Sequence, residues 1–82
     1  MWYVYLIKSR NKKWYYVGST NRLQERIYEH NKGKVKSTKN YLPFNLVFTK
    51  EFIIEKEARN YEKMLKDKRI EKEKLINIIE SK

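Results

Sequence analysis

Six consecutive residues near the start of the chain, Trp2-Tyr3-Val4-Tyr5-Leu6-Ile7, are all apolar or aromatic. In an extended strand, Trp2, Val4 and Leu6 point one way and Tyr3, Tyr5 and Ile7 the other. Neither face suits water, so the strand needs cover on both sides and belongs at the centre of a sheet. With 82 residues there is room for one domain spanning 1–82, with a core over about 1–66 and a C-terminal helix over about 69–80. Such a chain buries only about 60% of the surface its unfolded form exposes, so the core is small. There is no cysteine, which excludes disulfides and thiolate metal sites and suits a reducing compartment. The first apolar run lacks a charged leader and stops at Lys8. That is too short for a signal peptide or a membrane span, so a soluble cytoplasmic protein with no membrane contact is expected.

The rest of the pattern supplies the cover. Trp14 to Val17 reads as a second strand, with Lys8 to Lys13 as the turn. Gly18 to Asn21 should break that strand, and Asn21 with Gln24 resembles a capping box opening a helix from Arg22 to about Lys32. Leu23 and Ile27 form its apolar stripe, and Gly33 stops it. Lys34 to Asn40 has no period and reads as a mobile basic loop. A third strand, Leu46 to Phe52, places Leu46, Phe48 and Phe52 on one face. Helices follow over Glu55–Lys66, with Ala58, Tyr61 and Leu65 buried, and over Arg69–Ile79, with Leu75, Ile76 and Ile79 packing back. The expected class is α/β (α+β): a three-stranded antiparallel sheet flanked by helices, in the order β-β-α-β-α-α.

Charge points to a partner. The net charge is +10, and its distribution is uneven. Residues 1–40 hold ten Lys/Arg against Glu25 and Glu29, whereas residues 41–82 hold ten against eight. A one-sided basic field implies a polyanion, nucleic acid ahead of anionic membrane. The first half has no basic amphipathic helix with a clean apolar face, which weakens the membrane option. A surface charged merely for solubility is the plainer reading.

Several residues on this basic half invite a chemical role, and each also has a plain structural one. A turn centred between Arg10 and Asn11 sets Tyr5 opposite Tyr16 on one face of the sheet, where an aromatic pair serves stability or chemistry alike. Gly18 falls on that same face, as a strand terminator or as a point of close ligand approach. Arg26 and His30, four apart, share a helix face beside the Leu23/Ile27 stripe, at the edge of the core. There Arg26 needs an anionic partner, and His30 is either a space-filling imidazole or part of a site. Glu62 lies at the margin of its helix's apolar stripe and needs a cation. A salt bridge to Arg26 or to a lysine and a divalent metal ion satisfy it equally. Together these residues amount to the parts for phosphodiester hydrolysis: a carboxylate for the ion, an arginine for phosphate oxygens, and a base for water.

The chain resembles the GIY-YIG endonuclease superfamily, close to its small stand-alone bacterial branch. Tyr3-Val4-Tyr5 stands for the first motif and Tyr16-Val17-Gly18 for the second. "GSTNRLQERIYEHNKGK", "STKNYLPFNLVFTKEF" and "EARNYEKMLK" are similar to that branch as well, so the likeness runs from Met1 to about Lys66. Tyr3-Val4 replaces the Gly-Ile of the first motif, and the tail from Arg69 is less like the family. The resemblance implies Tyr5 and Tyr16 as the motif phenols, Gly18 as the close-approach glycine, Arg26 as the phosphate contact, His30 as an assisting residue and Glu62 as ligand of one ion, Mg²⁺ or Mn²⁺. It implies a DNA endonuclease, with RNA not excluded as a partner. For Tyr5 to act as base or water-positioner near neutral pH, its affinity for a proton must drop by about two to three units, worth about 3–4 kcal/mol. Arg26, nearby lysines and the ion are the expected source. Binding is assigned to Lys8, Arg10, Lys12 and Lys13 on one side and Lys34, Lys36 and Lys39 on the other. No appended reader module is visible, so little sequence specificity is expected, with shape or damage preference at most and room for a targeting partner. The alternative is a non-catalytic basic module that holds DNA or RNA without cutting it.

Overall fold

Strand β1 (Trp2–Ser9) lies between β2 (Tyr15–Thr20) and β3 (Phe44–Phe52) in one antiparallel sheet, as its two apolar faces require. The structure, a computed structural model, describes residues 1–81. Three helices complete the order β-β-α-β-α-α: α1 (Leu23–Asn31), α2 (Glu55–Asp67) and α3 (Arg69–Glu80). On one face of the sheet Val4, Leu6 and Val17 pack on Ala58 and Leu65 of α2 and on Leu75, Ile76 and Ile79 of α3. On the other face Tyr5, Ile7 and Phe44 pack with Leu23 and Ile27 of α1. Val4, Leu6 and Ile7 are 0% exposed, and burying each such side chain contributes about 1.5–3 kcal/mol.

The hairpin register differs from expectation. Tyr5 pairs with Gly18, and Tyr16 pairs with Ile7. The two phenols therefore share a face as diagonal neighbours, with ring centroids 6.5 Å apart, rather than sitting directly opposite. The turn is responsible. The Ser9 hydroxyl accepts the amides of Asn11 and Lys12, at 3.3 and 3.1 Å, and donates to the carbonyl of Tyr41 at 2.6 Å. Ser9 thus holds a longer loop than a turn centred on Arg10–Asn11 needs. Strand β2 also runs on through Gly18, Ser19 and Thr20 instead of breaking there.

Three further expectations change. Helix α1 has no capping box: its N-cap is Arg22, which makes no side-chain cap bond, and the Thr20 hydroxyl accepts the Arg22 amide at 3.0 Å. In β3 a bulge opposite Leu6/Ile7 moves the pairing from Phe48 to Leu46. Val47 and Phe48 then both reach the α2 side, while Leu46 turns away from Phe48 and is 42% exposed. The segment from Lys34 to Asn40 is a series of tight turns, with Thr38 0% exposed, rather than a mobile loop.

Gly33 does end α1, as expected. With φ +76° it takes the left-handed conformation that glycine adopts without cost. Its amide reaches the His30 carbonyl at 3.2 Å, and the Lys34 amide reaches that of Glu29 at 3.0 Å, which is a Schellman closure. Asn31 then clips the helix end to β3 by accepting the Phe44 amide at 2.6 Å.

Candidate active site

Where β1 begins and β2 ends, a cleft of about 310 Å³ opens between the two helical layers, with Tyr5, Tyr16, Gly18, Arg26 and Glu62 among its lining residues. The elements converge for simple reasons. Tyr5 and Tyr16 project toward the α1 side by strand alternation. Arg26 sits one position before Ile27, on the flank of the partly buried apolar stripe of α1. Gly18 lines the cleft and makes a close approach to Tyr5. A side chain at Gly18 would meet the phenol of Tyr5, with its Cβ 2.5 Å from Cζ and 2.8 Å from Cε1. The glycine vacates the space that lets the Tyr5 ring lie flat across β2 into the cleft.

Behind Tyr5 stands His30, which is 0% exposed and so lies inside the core rather than at its edge. Tyr5 Oη is 2.8 Å from His30 Nε2, and His30 Nδ1 is 2.8 Å from Thr38 Oγ1. The Thr38 hydroxyl in turn donates to the Val35 carbonyl at 3.4 Å. That donation leaves Thr38 an acceptor toward His30, so Nδ1 carries the proton and Nε2 accepts from Tyr5. The tautomer follows from this network of partners. The Tyr5 proton is thereby turned inward.

Glu62 reaches the cleft from the opposite layer. One carboxylate oxygen accepts the Ser19 hydroxyl, and the other accepts the Lys66 ammonium at 2.7 Å. Its cation is a lysine one turn along α2, not Arg26. Arg26 instead donates to Glu29 at 3.1 Å, and Arg22 lies 3.8 Å from the same carboxylate.

A family model described as the GIY-YIG catalytic domain matches residues 1–75. The chain belongs to the GIY-YIG family. The match takes in the start of α3 as well as the Met1–Lys66 stretch. A UPF0213 protein of Oceanobacillus iheyensis is 39% identical over 80 residues, covering 95% of this chain and 92% of the relative. One from Streptococcus pneumoniae is 35% identical, covering 92% of this chain and 77% of the relative. The solution structure of the UPF0213 protein BH0048 from Bacillus halodurans is 34% identical and superposes with a TM-score of 0.59, over 95% of this chain and 85% of that one. Membership of the GIY-YIG family implies nuclease activity on DNA.

The electrostatics of this GIY-YIG site run against one expectation. Burial pushes the Tyr5 phenol up to about 12, with the neighbouring Tyr16 and Glu62 adding to the rise and Arg26 opposing it. Tyr5 is therefore firmly protonated in the free protein, not lowered toward neutrality. Burial, and next the charge of Arg26, pulls His30 down to about 4, so the imidazole is neutral and suited to accept the phenol proton as a hydrogen bond.

The residues also fit a divalent ion of modest demand. Among the described residues there is no group of three or more His, Cys, Asp or Glu that would cage a metal. Among the described residues Glu62 is the one acidic residue lining the cleft, and its side chain is 16% exposed. One carboxylate, completed by water and substrate phosphate, is enough for Mg²⁺.

The hairpin and loop cations are placed elsewhere. Lys8, Arg10, Lys12, Lys13, Lys36 and Lys39 do not line the cleft, and Lys34 joins it only through a neighbouring depression shared with Arg22 and Glu29. Arg22 and Arg59 do line it, and Lys66 lies 5.4 Å from the centroid of the Tyr16 ring. Arg59 and Lys66 belong to the second half of the chain, where ten cations stand against eight acids and the charge pattern singles out neither. The placement of Lys66 four residues after Glu62 was the available signal. For Thr38 the sequence carries none.

Proposed function

We propose that this chain is a divalent-metal-dependent endonuclease that hydrolyses DNA phosphodiester bonds with little sequence preference, guided at most by structure or damage. One observation carries the reading: two phenols, a guanidinium and a carboxylate, from β1, β2, α1 and α2, line a single cleft, with an imidazole bonded behind the first phenol. Arg26 grips non-bridging phosphate oxygens and stabilises the charge that builds on them. Tyr16 donates a hydrogen bond from its hydroxyl to the phosphate. Tyr5, whose own proton is held by His30, presents its oxygen to a proton of the attacking water. Once positive charge in the loaded cleft has lowered its affinity from about 12, Tyr5 releases its own proton to bulk water, and the resulting phenolate takes the proton of the attacking water. His30 and Thr38 are positioning residues, since they act by aiming Tyr5. A single Mg²⁺ or Mn²⁺ held by Glu62 would supply that positive charge and polarise the phosphate. Lys66 and Ser19 keep the Glu62 carboxylate aimed into the cleft. Among the described residues no helix is long and apolar enough to cross a membrane, and action on DNA in the cytoplasm, in repair, completes the proposal.

Plasmid nicking with Mg²⁺ or Mn²⁺ tests it, comparing the wild type with Glu62→Ala and Arg26→Ala. The wild type should nick only with the ion, and each variant should lose about 100-fold or more, with Glu62→Ala still binding DNA. Equal activity in all three, or an inert wild type across metals and substrates, sinks the proposal. A basic module that only holds nucleic acid shows binding without turnover in the same assay.

A further inference from the structure

Beside the phosphate chemistry the cleft holds a planar pair that the mechanism leaves unused. Trp2 and Arg59 both line it. The Arg59 guanidinium carbon lies 5.4 Å from the centroid of the Trp2 ring, the distance of a cation–π contact. Arg59 precedes Glu62 by about one helical turn, a rise of about 5 Å. Its side chain is 59% exposed, so it contributes little to the core. Its Nε donates to Glu55 at 2.6 Å, which sets the guanidinium plane and leaves the terminal nitrogens free of that bond. Trp2 is only partly buried, and its pairing with Phe52 at the end of β3 anchors it. A fixed aromatic plane and a fixed guanidinium plane are the two surfaces on which unstacked bases settle. A base inside a duplex cannot reach them, because it is already stacked on both sides.

We infer that Trp2 and Arg59 form a subsite for one unpaired nucleobase adjoining the scissile phosphate. The preferred substrate then carries a single-stranded nucleotide there, as in a flap, a gap or a free strand. This rests on the cleft being the phosphate site, and it adds the chemical class of what lies next to that phosphate.

The test is binding without metal, in EDTA, so that turnover plays no part. Fluorescence anisotropy compares a short labelled oligothymidylate, an abasic strand of equal length and a blunt duplex. The wild type should hold the thymidylate roughly tenfold tighter than the abasic strand. Arg59→Ala should erase that difference. Arg59→Lys should erase it too, because lysine keeps the charge and loses the plane. Trp2→Phe should keep most of it and Trp2→Ala little, with a melting curve alongside because Trp2 touches the core. Should Trp2→Ala fail to fold, the exposed Arg59→Lys variant decides alone. Equal wild-type affinity for the two single strands, or a preference preserved in Arg59→Lys, overturns the inference. A protein that nicks plasmids yet ignores bases loses this subsite and keeps its nuclease reading; one that never nicks yet prefers bases loses the nuclease reading alone.

Discussion

One added methyl group at Gly18 should unseat Tyr5 and, with it, the whole cleft. In Gly18→Ala the new Cβ would stand 2.5 Å from Cζ and 2.8 Å from Cε1 of Tyr5, and closer still to its hydroxyl. The obstacle is not a flexible side-chain end. Tyr5 lies on the central strand and is 1% exposed, and its hydroxyl is held by His30 at 2.8 Å. Forcing extra volume into such packing costs about 1–3 kcal/mol. The crowding also pushes the ring aside, so Nε2 of a fully buried imidazole loses its partner, which costs about another 1–3 kcal/mol. Two to six kcal/mol is therefore the expected range, about 4 at its centre. In a domain of this size each kcal/mol moves the melting temperature by about 4–8 °C, so the midpoint should fall by at least about 8 °C. Thermal melts followed by circular dichroism measure it. A double-mutant comparison isolates the cause: Tyr5→Leu removes the three crowded atoms, so Gly18→Ala added to that background should cost less than about 1 kcal/mol. A single Gly18→Ala variant that melts like the wild type, or one whose cost is unchanged beside Tyr5→Leu, refutes the argument.

Other consequences are open to direct measurement. His30 is held down at about 4 in the fold against about 6.5 unfolded, so acid protonates the unfolded chain first. The wild type should lose about 3 kcal/mol relative to His30→Gln as pH falls from 6.5 to 4, and none of it above 6.5; parallel curves across denaturant titrations would contradict this. Thr38→Val removes the acceptor of His30 Nδ1 and should cost about 1–3 kcal/mol while lowering kcat with little change in KM, with Thr38→Ser restoring both. If about six cations meet phosphates, duplex binding should show a log–log salt slope near −5. Arg22→Ala, which takes a charge from the cleft wall, should reduce that slope by about one, and an unchanged slope would put the DNA elsewhere.

The parts of the fold that were legible in sequence are those that hydrophobic periodicity controls. The two-faced run Trp2–Ile7 placed β1 at the centre, and the stripes Leu23/Ile27 and Ala58/Tyr61/Leu65 chose the helix faces that pack on it. What escaped was set by single polar side chains acting at a distance in the chain. Ser9 lengthens the hairpin loop through the carbonyl of Tyr41, and no local pattern announces a partner thirty-two residues away. The bulge at Val47 reverses the face of Leu46 for the same reason: alternation in one strand says nothing of a slip against its neighbour. At the site, the types and order of Tyr5, Tyr16, Arg26, His30 and Glu62 were readable, but their electrostatics were not. The depth of His30 goes with a bond to Thr38, buried in a loop whose lysines suggested only exposure, and the raised affinity of Tyr5 for its proton comes from burial.

The position of the cleft follows from strand alternation at two adjacent residues. The phenols and Arg26 belong to the α1 side of the sheet, and Glu62 belongs to the α2 side, so the sheet itself stands between the two halves of the chemistry. They meet because β2 is an edge strand and because Gly18 and Ser19 face opposite ways on it. Gly18 opens toward the Tyr5 ring, and the Ser19 hydroxyl reaches Glu62. A slip of β2 by one residue would set either the Ser19 hydroxymethyl group or the Val17 side chain against Tyr5, and in the second case leave only Gly18 toward Glu62. The register that prevents the slip is held at the far end of the hairpin by Ser9. The geometry of the cleft therefore depends on a turn that contributes no residue to it.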